Sequence, residues 1–479
     1  MATVQSAESG PFDGARPGAL HLPGSGASSA PPARPTHVRY AVLIFLGVLA
    51  FLSYFDRVCI TRAQADIQRD TGISDADMGK VFGAFWLAYA IFDIPGGWLG
   101  DRFGARKTLT RIVLAWSIFT ALTGSAVGFV SLYLYRFAFG AGEAGAFPNT
   151  ARVQSRWIPA QHQGRISGII WLVARWGGAL SPLLFGILLR RVDSRTFRGS
   201  LNLIGLHAVS GLPAWRLAFW VCGLLGVGWV LLFYPFFRDD PADHRMVNAA
   251  ELQLITSGRL ENQRHAKRRY NLAIWLSLAL SIDLWALAMC QALGSFGWSF
   301  FVSWLPRFLK QGYGVEYANS EVMSSLPLLC GGAACFIGGW LSDRIIRATG
   351  RHRFGRALFP IIGRFGGAIA IFGVCYASTP GAAIALMCLS NIFYDLSMGP
   401  TWAAAIEVGG IYSGTATGFV NTVGNLGNIL QPIVGQWIFA HFGWNRLFLV
   451  FAVFYVLSGS MWFLVNPSRR FYREQDVPS

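Results

Sequence analysis

The sequence predicts an all-α membrane protein of twelve transmembrane helices in two six-helix halves. Three observations carry that prediction. Of 479 residues, 53% are hydrophobic and 13% are charged, too little charge to cover the surface of a soluble chain of this length. Apolar runs recur from residue 40 to residue 466, each close to the ~20 residues that a bilayer demands of a helix. One motif also occurs twice. Gly96-Gly97-Trp98-Leu99-Gly100-Asp101-Arg102 returns 242 residues later as Gly338-Gly339-Trp340-Leu341-Ser342-Asp343-Arg344. A repeat at half the chain length marks an internal duplication, and duplicated six-helix halves suit a carrier that rocks about a central site. A β-barrel would show short alternating segments instead.

In chain order, residues 1–37 read as a disordered cytoplasmic tail, rich in Gly, Ala, Ser and Pro and without the apolar run of a signal peptide. The first six-helix bundle, 38–236, has spans at roughly 40–60, 78–99, 108–128, 131–154, 164–189 and 215–236. Spans five and six are joined by a long connection, 190–214, whose apolar middle at 201–209 would lie on the membrane or pack on the bundle. A polar, basic cytoplasmic linker, 237–273, follows, with a short surface helix expected over 249–261. The second bundle, 274–467, has spans at 274–304, 318–341, 357–377, 381–405, 412–438 and 445–466, and 468–479 is a second cytoplasmic tail. A further echo links the halves: Gly177-Gly178-Ala179-Leu180-Ser181-Pro182 in span five and Gly427-Asn428-Ile429-Leu430-Gln431-Pro432 in span eleven. Small residues let helices approach, and proline bends them.

The net charge of +16 is partitioned along the chain, which argues against nucleic acid as its partner. One side of the membrane collects Arg34, Arg39, Arg102, Arg106, Lys107, Arg111, Arg152, Arg156 and Arg165. To these it adds the linker run Arg264, Lys267, Arg268 and Arg269, then Arg347, Arg351, Arg353, Arg356, Arg469, Arg470 and Arg473. By the positive-inside rule that side is cytoplasmic and holds both termini, as in a multi-pass protein of a bacterial inner membrane. Arg190, Arg191, Arg195 and Arg198 fall on the outer side, which a summed bias tolerates. The seven cysteines all lie in spans without metal-like spacing and read as packing residues. No nucleotide loop, metal cluster or Ser/His/Asp set is present, so neither a cofactor nor enzyme chemistry is expected.

Gly97-x-Leu99-Gly100-Asp101-Arg102-x-Gly104-x-Arg106-Lys107 matches in full the loop signature of the major facilitator superfamily, and the second copy keeps Gly339, Leu341, Asp343 and Arg344. Within that superfamily the chain resembles the anion:cation symporter branch of sugar-acid and phthalate permeases, sialin and vesicular glutamate carriers. The resemblance rests on Tyr54-Phe55-Asp56-Arg57, Ile94-Pro95-Gly96-Gly97-Trp98, and Arg136 through Glu143 to Pro148-Asn149. Trp215-Arg216-x-Ala218-Phe219, Ser303-Trp304-Leu305-Pro306 and Gly418-Phe419-x-Asn421 with Gly424-Asn425-Leu426-Gly427 extend it across residues 40–466. It implies transport of an organic anion coupled to H⁺, or in some members to Na⁺, by a protein expected to work as a monomer. An exporter of drugs or metabolites with the same fold is the alternative, disfavoured by the arginines described next.

Ionisable groups are costly in hydrocarbon and are functional by default. Those read within spans are Asp56, Arg57, Asp93, Arg136, Glu143, Arg175, Asp283, Asp395 and Glu407. Arg57 and Arg136 are expected to hold a substrate carboxylate, because guanidinium offers a fixed bidentate fork. Asp56 and Glu143 are expected to carry the coupling proton, roles that the resemblance also implies. Arg175 would either bind a second acidic group or pair with Asp93 or another half-buried acid. Tyr54, Tyr89, Thr401, Trp402, Asn421 and Asn425, with Trp298, would shape the pocket, while Asp283 and Asp395 receive no transport role. Gly97, Asp101, Arg102, Arg106, Asp343 and Arg344 would form a conformational gate, Asp101 capping a helix end and pairing with a neighbouring arginine.

Overall fold

In a computed structural model, residues 34–203, 205–257, 270–315 and 317–472 are described, and those residues contain helices and no strands. Most of the N-terminal tail, the basic run Arg264–Arg269, the end of the expected 249–261 helix and Arg473 lie outside them.

Helix α1 (Val38–Thr71) outruns its predicted span and stops at Gly72, whose φ of 71° ends a helix at little cost. Its first turn is capped from the linker. Glu251 accepts the amides of Val38 and Arg39 at 3.2 and 3.1 Å and pairs with the Arg39 guanidinium at 3.0 Å. Helix α2 (Asp75–Phe103) is capped by Ser74, which accepts the Asp77 amide. Helix α3 (Ala105–Thr123) begins where Asp239 accepts the amides of Ala105 and Arg106.

Predicted span four is not continuous. It divides into α4 (Phe129–Glu143) and α5 (Ala146–Trp157) at Gly145, whose φ is 82°. The freed Gly145 amide donates to Asp93 at 2.9 Å, so a buried carboxyl replaces the missing helical acceptor. Helix α6 (Gln163–Val192) carries Pro182. The long connection forms α7 (Arg195–Leu203) and α8 (His207–Ser210), with Leu203 and Leu206 exposed. Arg198 is occupied there by Asp193 and the carbonyls of Ser210 and Leu212, a local role. Helices α9 (Ala214–Phe236) and α10 (Ala249–Thr256) lead to the second half of the chain.

Predicted span seven also divides, into α11 (Leu272–Leu280) and α12 (Ile282–Ser303), because Ser281 leaves the helical region and caps Leu284. After α13 (Leu305–Tyr313), α14 (Tyr317–Thr349) and α15 (His352–Gly373), span ten kinks at Ser397 between α16 (Pro380–Leu396) and α17 (Met398–Gly409). Helix α18 (Ser413–Leu430) widens to a π-turn at Gln431–Gly435, where Pro432 has no amide to give. Helix α19 (Gln436–Ser460) bends at Gly443, φ 77°.

Among the described residues, seven helical stretches are long and apolar enough to cross a membrane by length and composition, the last of them taking in α16 to α19. The two halves of the chain meet chiefly where α6 packs on α14 and α2 packs on α18. The second glycine of each repeat sits in those crossings. A Cβ on Gly97 would collide with the Gly414 carbonyl, and one on Gly339 with the Gly164 carbonyl. The duplicated motif is therefore where backbone meets backbone across the halves. All seven cysteines are free thiols, buried or partly so.

Candidate functional site

The motif carboxylates do one job twice. Asp101 accepts the amides of Gly414 and Thr415, at 3.3 and 2.7 Å, at the start of α18. Asp343 accepts those of Gly164 and Arg165, at 3.1 and 2.7 Å, at the start of α6. Each carboxylate thus caps a helix belonging to the other half, where unpaired amides and the helix dipole favour negative charge. Each also holds a buried arginine of its own half: Arg152 at 2.9 Å from Asp101, and Arg356 at 2.6 Å from Asp343. Arg356 reaches on to Glu407 at 2.7 Å, which places Glu407 in this latch. The motif arginines do not cross. Arg102 lies over Trp98 and Phe103, Arg344 over Trp340, and Arg106 over Tyr234, whose carbonyl it holds. Their guanidinium groups lie over aromatic rings of their own half, a cation–π contact.

Farther into the bundle lies a cavity, with about 440 Å³ of space between its lining atoms including the part open to solvent. Its first-half wall is built from Tyr54, Arg57, Trp86, Tyr89, Trp171 and Arg175. Arg57 sits in an aromatic box, within 4.8–5.2 Å of the rings of Tyr54, Phe85, Trp86 and Tyr89. Its Nη2 pairs with Glu143 Oε1 at 2.6 Å, and Ser53 donates to the same oxygen. Glu143 Oε2 has no hydrogen-bond partner among the described residues. Asp56, one residue earlier on α1, turns away from the cavity, is buried, and has neither oxygen bonded among those residues. Arg136 lies behind Arg57 rather than on the cavity wall. It reaches the Arg57 carbonyl at 3.5 Å and packs over Phe139 at 4.5 Å.

Arg175 lines the cavity, and the acid it pairs with is not Asp93. It meets Asp395 on α16, Nη2 to Oδ1 at 2.9 Å and Nε at 3.2 Å to both oxygens. Asp395, given no transport role from the sequence, therefore bridges the halves beside the cavity. Asp93 makes no ion pair among the described residues and instead accepts Gly145 N and, at 2.6 Å, Asn421 Nδ2. Asp283 accepts the Asn466 amide near the chain's end, away from the cavity.

The second-half wall carries Gln291, Ser295 and Trp298 on α12 and Asn421, Asn425 and Asn428 on α18. Each set is spaced as one helical face, and Asn428 lies on the same face of α18 as Asn421 and Asn425, which a helical projection of the sequence would have marked. Among the described residues, Gln291 Oε1, Trp298 Nε1, Asn425 Nδ2 and Asn428 Oδ1 have no hydrogen-bond partner. Such groups are costly unless a ligand or water meets them. Trp402 backs this wall against Trp171 at 5.2 Å, and Thr401 is spent on the Ser397 carbonyl. Sequence reasoning also passed over Arg364 on α15. It is fully buried, lies 4.0 Å from the ring of the cavity residue Tyr394, and its nitrogens have no hydrogen-bond partner among the described residues. Among those residues there is no cluster of His, Cys, Asp and Glu fit for a metal.

A family model for the Major Facilitator Superfamily matches residues 46–432. The chain belongs to that superfamily. Its fold class is accordingly all-α and membrane-embedded, and it is a transporter rather than an enzyme. Among curated members, a probable sulfoacetate transporter of Cupriavidus necator is 32% identical over 83% of this chain and 86% of its own. A probable galactarate/D-glucarate transporter of Bacillus subtilis is 28% identical over 93% and 95%. A D-galactonate transporter of Escherichia coli is 28% identical over 86% and 91%. Solved members share the fold. The proton:xylose symporter XylE superposes with a TM-score of 0.68 at 16% identity, covering 90% of this chain and 96% of its own. The Escherichia coli fucose:proton symporter does so at 0.66 and 15%, covering 90% and 100%.

Proposed function

We propose that this protein carries a hydroxylated or doubly acidic organic anion, coupled to H⁺, by alternating access. The observation that carries the reading is the asymmetry of one cavity. Its first-half wall holds two guanidinium groups, Arg57 and Arg175, each bound to a carboxylate that a substrate acid could displace. Its second-half wall offers unpaired amide and indole groups suited to hydroxyls or a second acid's oxygens. The relatives named for sulfoacetate, galactarate/D-glucarate and D-galactonate fit such a cavity. Arg136, seated behind Arg57, would reinforce the positive field and position Arg57. Glu143 and Asp56, buried near both arginines, would take up protons as substrate claims the guanidinium groups.

In this reading the moving units are two six-helix bundles, 38–236 and 274–467, joined by 237–273, with twelve crossings in all. The positive-inside pattern puts both termini and the Asp101 and Asp343 latches on the cytoplasmic side of a bacterial inner membrane. The conformer described is then the one shut toward the cytoplasm. The test is uptake of sulfoacetate, D-glucarate and D-galactonate into proteoliposomes under imposed gradients. Accumulation of at least one acid driven by a pH gradient is expected. Uptake indifferent to that gradient for every acid, or driven by Na⁺ alone, overturns the proton coupling.

A further inference from the structure

Asp93 stands apart from the ion pairs of the site. It is fully buried on α2, facing both the α4/α5 break and α18. Its Oδ1 accepts the Gly145 amide at 2.9 Å, and its Oδ2 accepts Asn421 Nδ2 at 2.6 Å. No salt bridge reaches it among the described residues. The titratable groups nearest to it are Tyr89 one turn earlier on α2, Arg57 on α1 and Glu143 on α4, while α18 contributes the neutral amide of Asn421. An ionised carboxylate held by two neutral donors in a buried site carries a large desolvation cost, which a proton removes.

Asn421 connects this carboxyl to the cavity, which it lines. Its Nδ2 donates to Asp93 and, at 3.3 Å, to the Tyr89 hydroxyl, so both N–H groups are spent away from substrate. Its Oδ1 accepts no hydrogen bond among the described residues. An amide can turn about its last bond and exchange these two ends.

We propose that Asp93 is a further proton-carrying group of this transporter and that Asn421 reports its protonation to the cavity. The inference rests on the proposed proton-coupled carriage of an organic anion. With Asp93 ionised, the carboxylate accepts from Asn421 Nδ2, and the amide presents its oxygen, an acceptor, to the cavity. When a proton from water binds Oδ2, that O–H donates to Asn421 Oδ1. The amide turns, and its two N–H groups become available to a carboxylate, sulfonate or hydroxyl oxygen of the substrate. Asp93 Oδ1 keeps the Gly145 amide in both forms, so the helix break two residues from Glu143 does not have to rearrange. One proton gained on Asp93 thus creates one donor site for substrate, the sign required for joint movement of anion and proton.

The test uses the purified full-length protein with D-glucarate and sulfoacetate as probes. Proton uptake on binding is read with an indicator dye in weak buffer, and Kd is measured against pH. The wild type is expected to take up one more proton per bound acid than Asp93→Asn, an isosteric change that preserves an acceptor for Gly145. The Kd of Asp93→Asn should lose about a tenfold dependence per pH unit. Equal proton uptake and equal pH slopes overturn the proposal. Asn421→Leu keeps the carboxyl and removes the amide, so full ligand-linked proton uptake in that variant also overturns it. If the wild type binds neither acid, the parent reading fails separately, and substrate-free infrared difference spectra decide this one. A pH-dependent protonated carboxyl band lost in Asp93→Asn supports it, and identical spectra overturn it.

Discussion

Arg175 and Asp395 join the two halves of the chain through a buried bidentate pair, 2.9 Å at its shortest, with side chains 3% and 0% exposed. Removing one partner strands a full charge, at a cost of about 3–5 kcal/mol, whereas replacing both with apolar groups is close to neutral. Arg175→Met and Asp395→Leu should each lower the unfolding midpoint of the purified protein, and the double variant should recover most of that loss. A double-mutant cycle measures the coupling; simple additivity would show that the two residues act independently.

The Asp101 and Asp343 latches give a second expectation. In the proposed alternating access each carboxylate would exchange its bonds for water when that end of the protein opens, so neutralising it should weaken one conformer more than the fold. Asp101→Asn should favour the opened form by about 1–2 kcal/mol, roughly a 5- to 30-fold shift. Ser155 provides the reporter, because it faces Ser413 across the crossing at 3.0 Å. In a Ser155→Cys background, maleimide labelling should speed up on Asp101→Asn, and an unchanged rate would remove Asp101 from the gate.

The same crossing predicts the outcome of Gly97→Ala. Its added methyl would collide with the Gly414 carbonyl, which belongs to backbone and cannot swing aside. The protein should fold and insert at normal abundance yet label as an opened conformer and lose active transport. Normal transport by this variant would show that the crossing is looser than its geometry requires.

What the sequence disclosed follows what repeats and what is local. The apolar runs fall largely on helix, and the doubled Gly-Gly-Trp-Leu-x-Asp-Arg, legible as a duplication, carries in its second glycine the residue that meets the opposite half. Helix breaks were less legible. Gly145 marks a break only through Asp93, which holds its amide from 52 residues away in sequence. Asp395 was passed over for the same reason: its arginine lies 220 residues earlier, and nothing near it in sequence marks it. Arg136 and Arg57 looked equivalent because residue type and depth are readable, whereas which guanidinium faces the cavity depends on helix rotation.

The second-half wall can be tested by what it distinguishes. Asn428 hydrogen-bonds Asn425 through its Nδ2 and leaves its own oxygen unbonded among the described residues. A substrate hydroxyl that donates to this oxygen would lose about 0.5–1.5 kcal/mol in Asn428→Leu. The KM for D-glucarate should rise about 2- to 10-fold, while sulfoacetate, which lacks hydroxyls, should change little. Equal effects on both acids would mean that Asn428 shapes the wall without reading hydroxyls.

Glu143→Gln separates movement from coupling. The substituted amide would still accept from Ser53 and Arg57 through its carbonyl oxygen, so the aromatic box around Arg57 should persist. It cannot exchange a proton, however, and it no longer competes as an anion with the substrate acid. Counterflow, in which labelled substrate exchanges for unlabelled across the membrane, needs only the loaded carrier to reorient and should survive. In the proposed mechanism gradient-driven accumulation needs the carboxyl to gain a proton on one side and release it on the other, and it should be lost. Both activities are measured in the same proteoliposomes, with and without an imposed pH gradient. Loss of both in parallel would reduce the pair of Arg57 and Glu143 to a helix-positioning contact between α1 and α4.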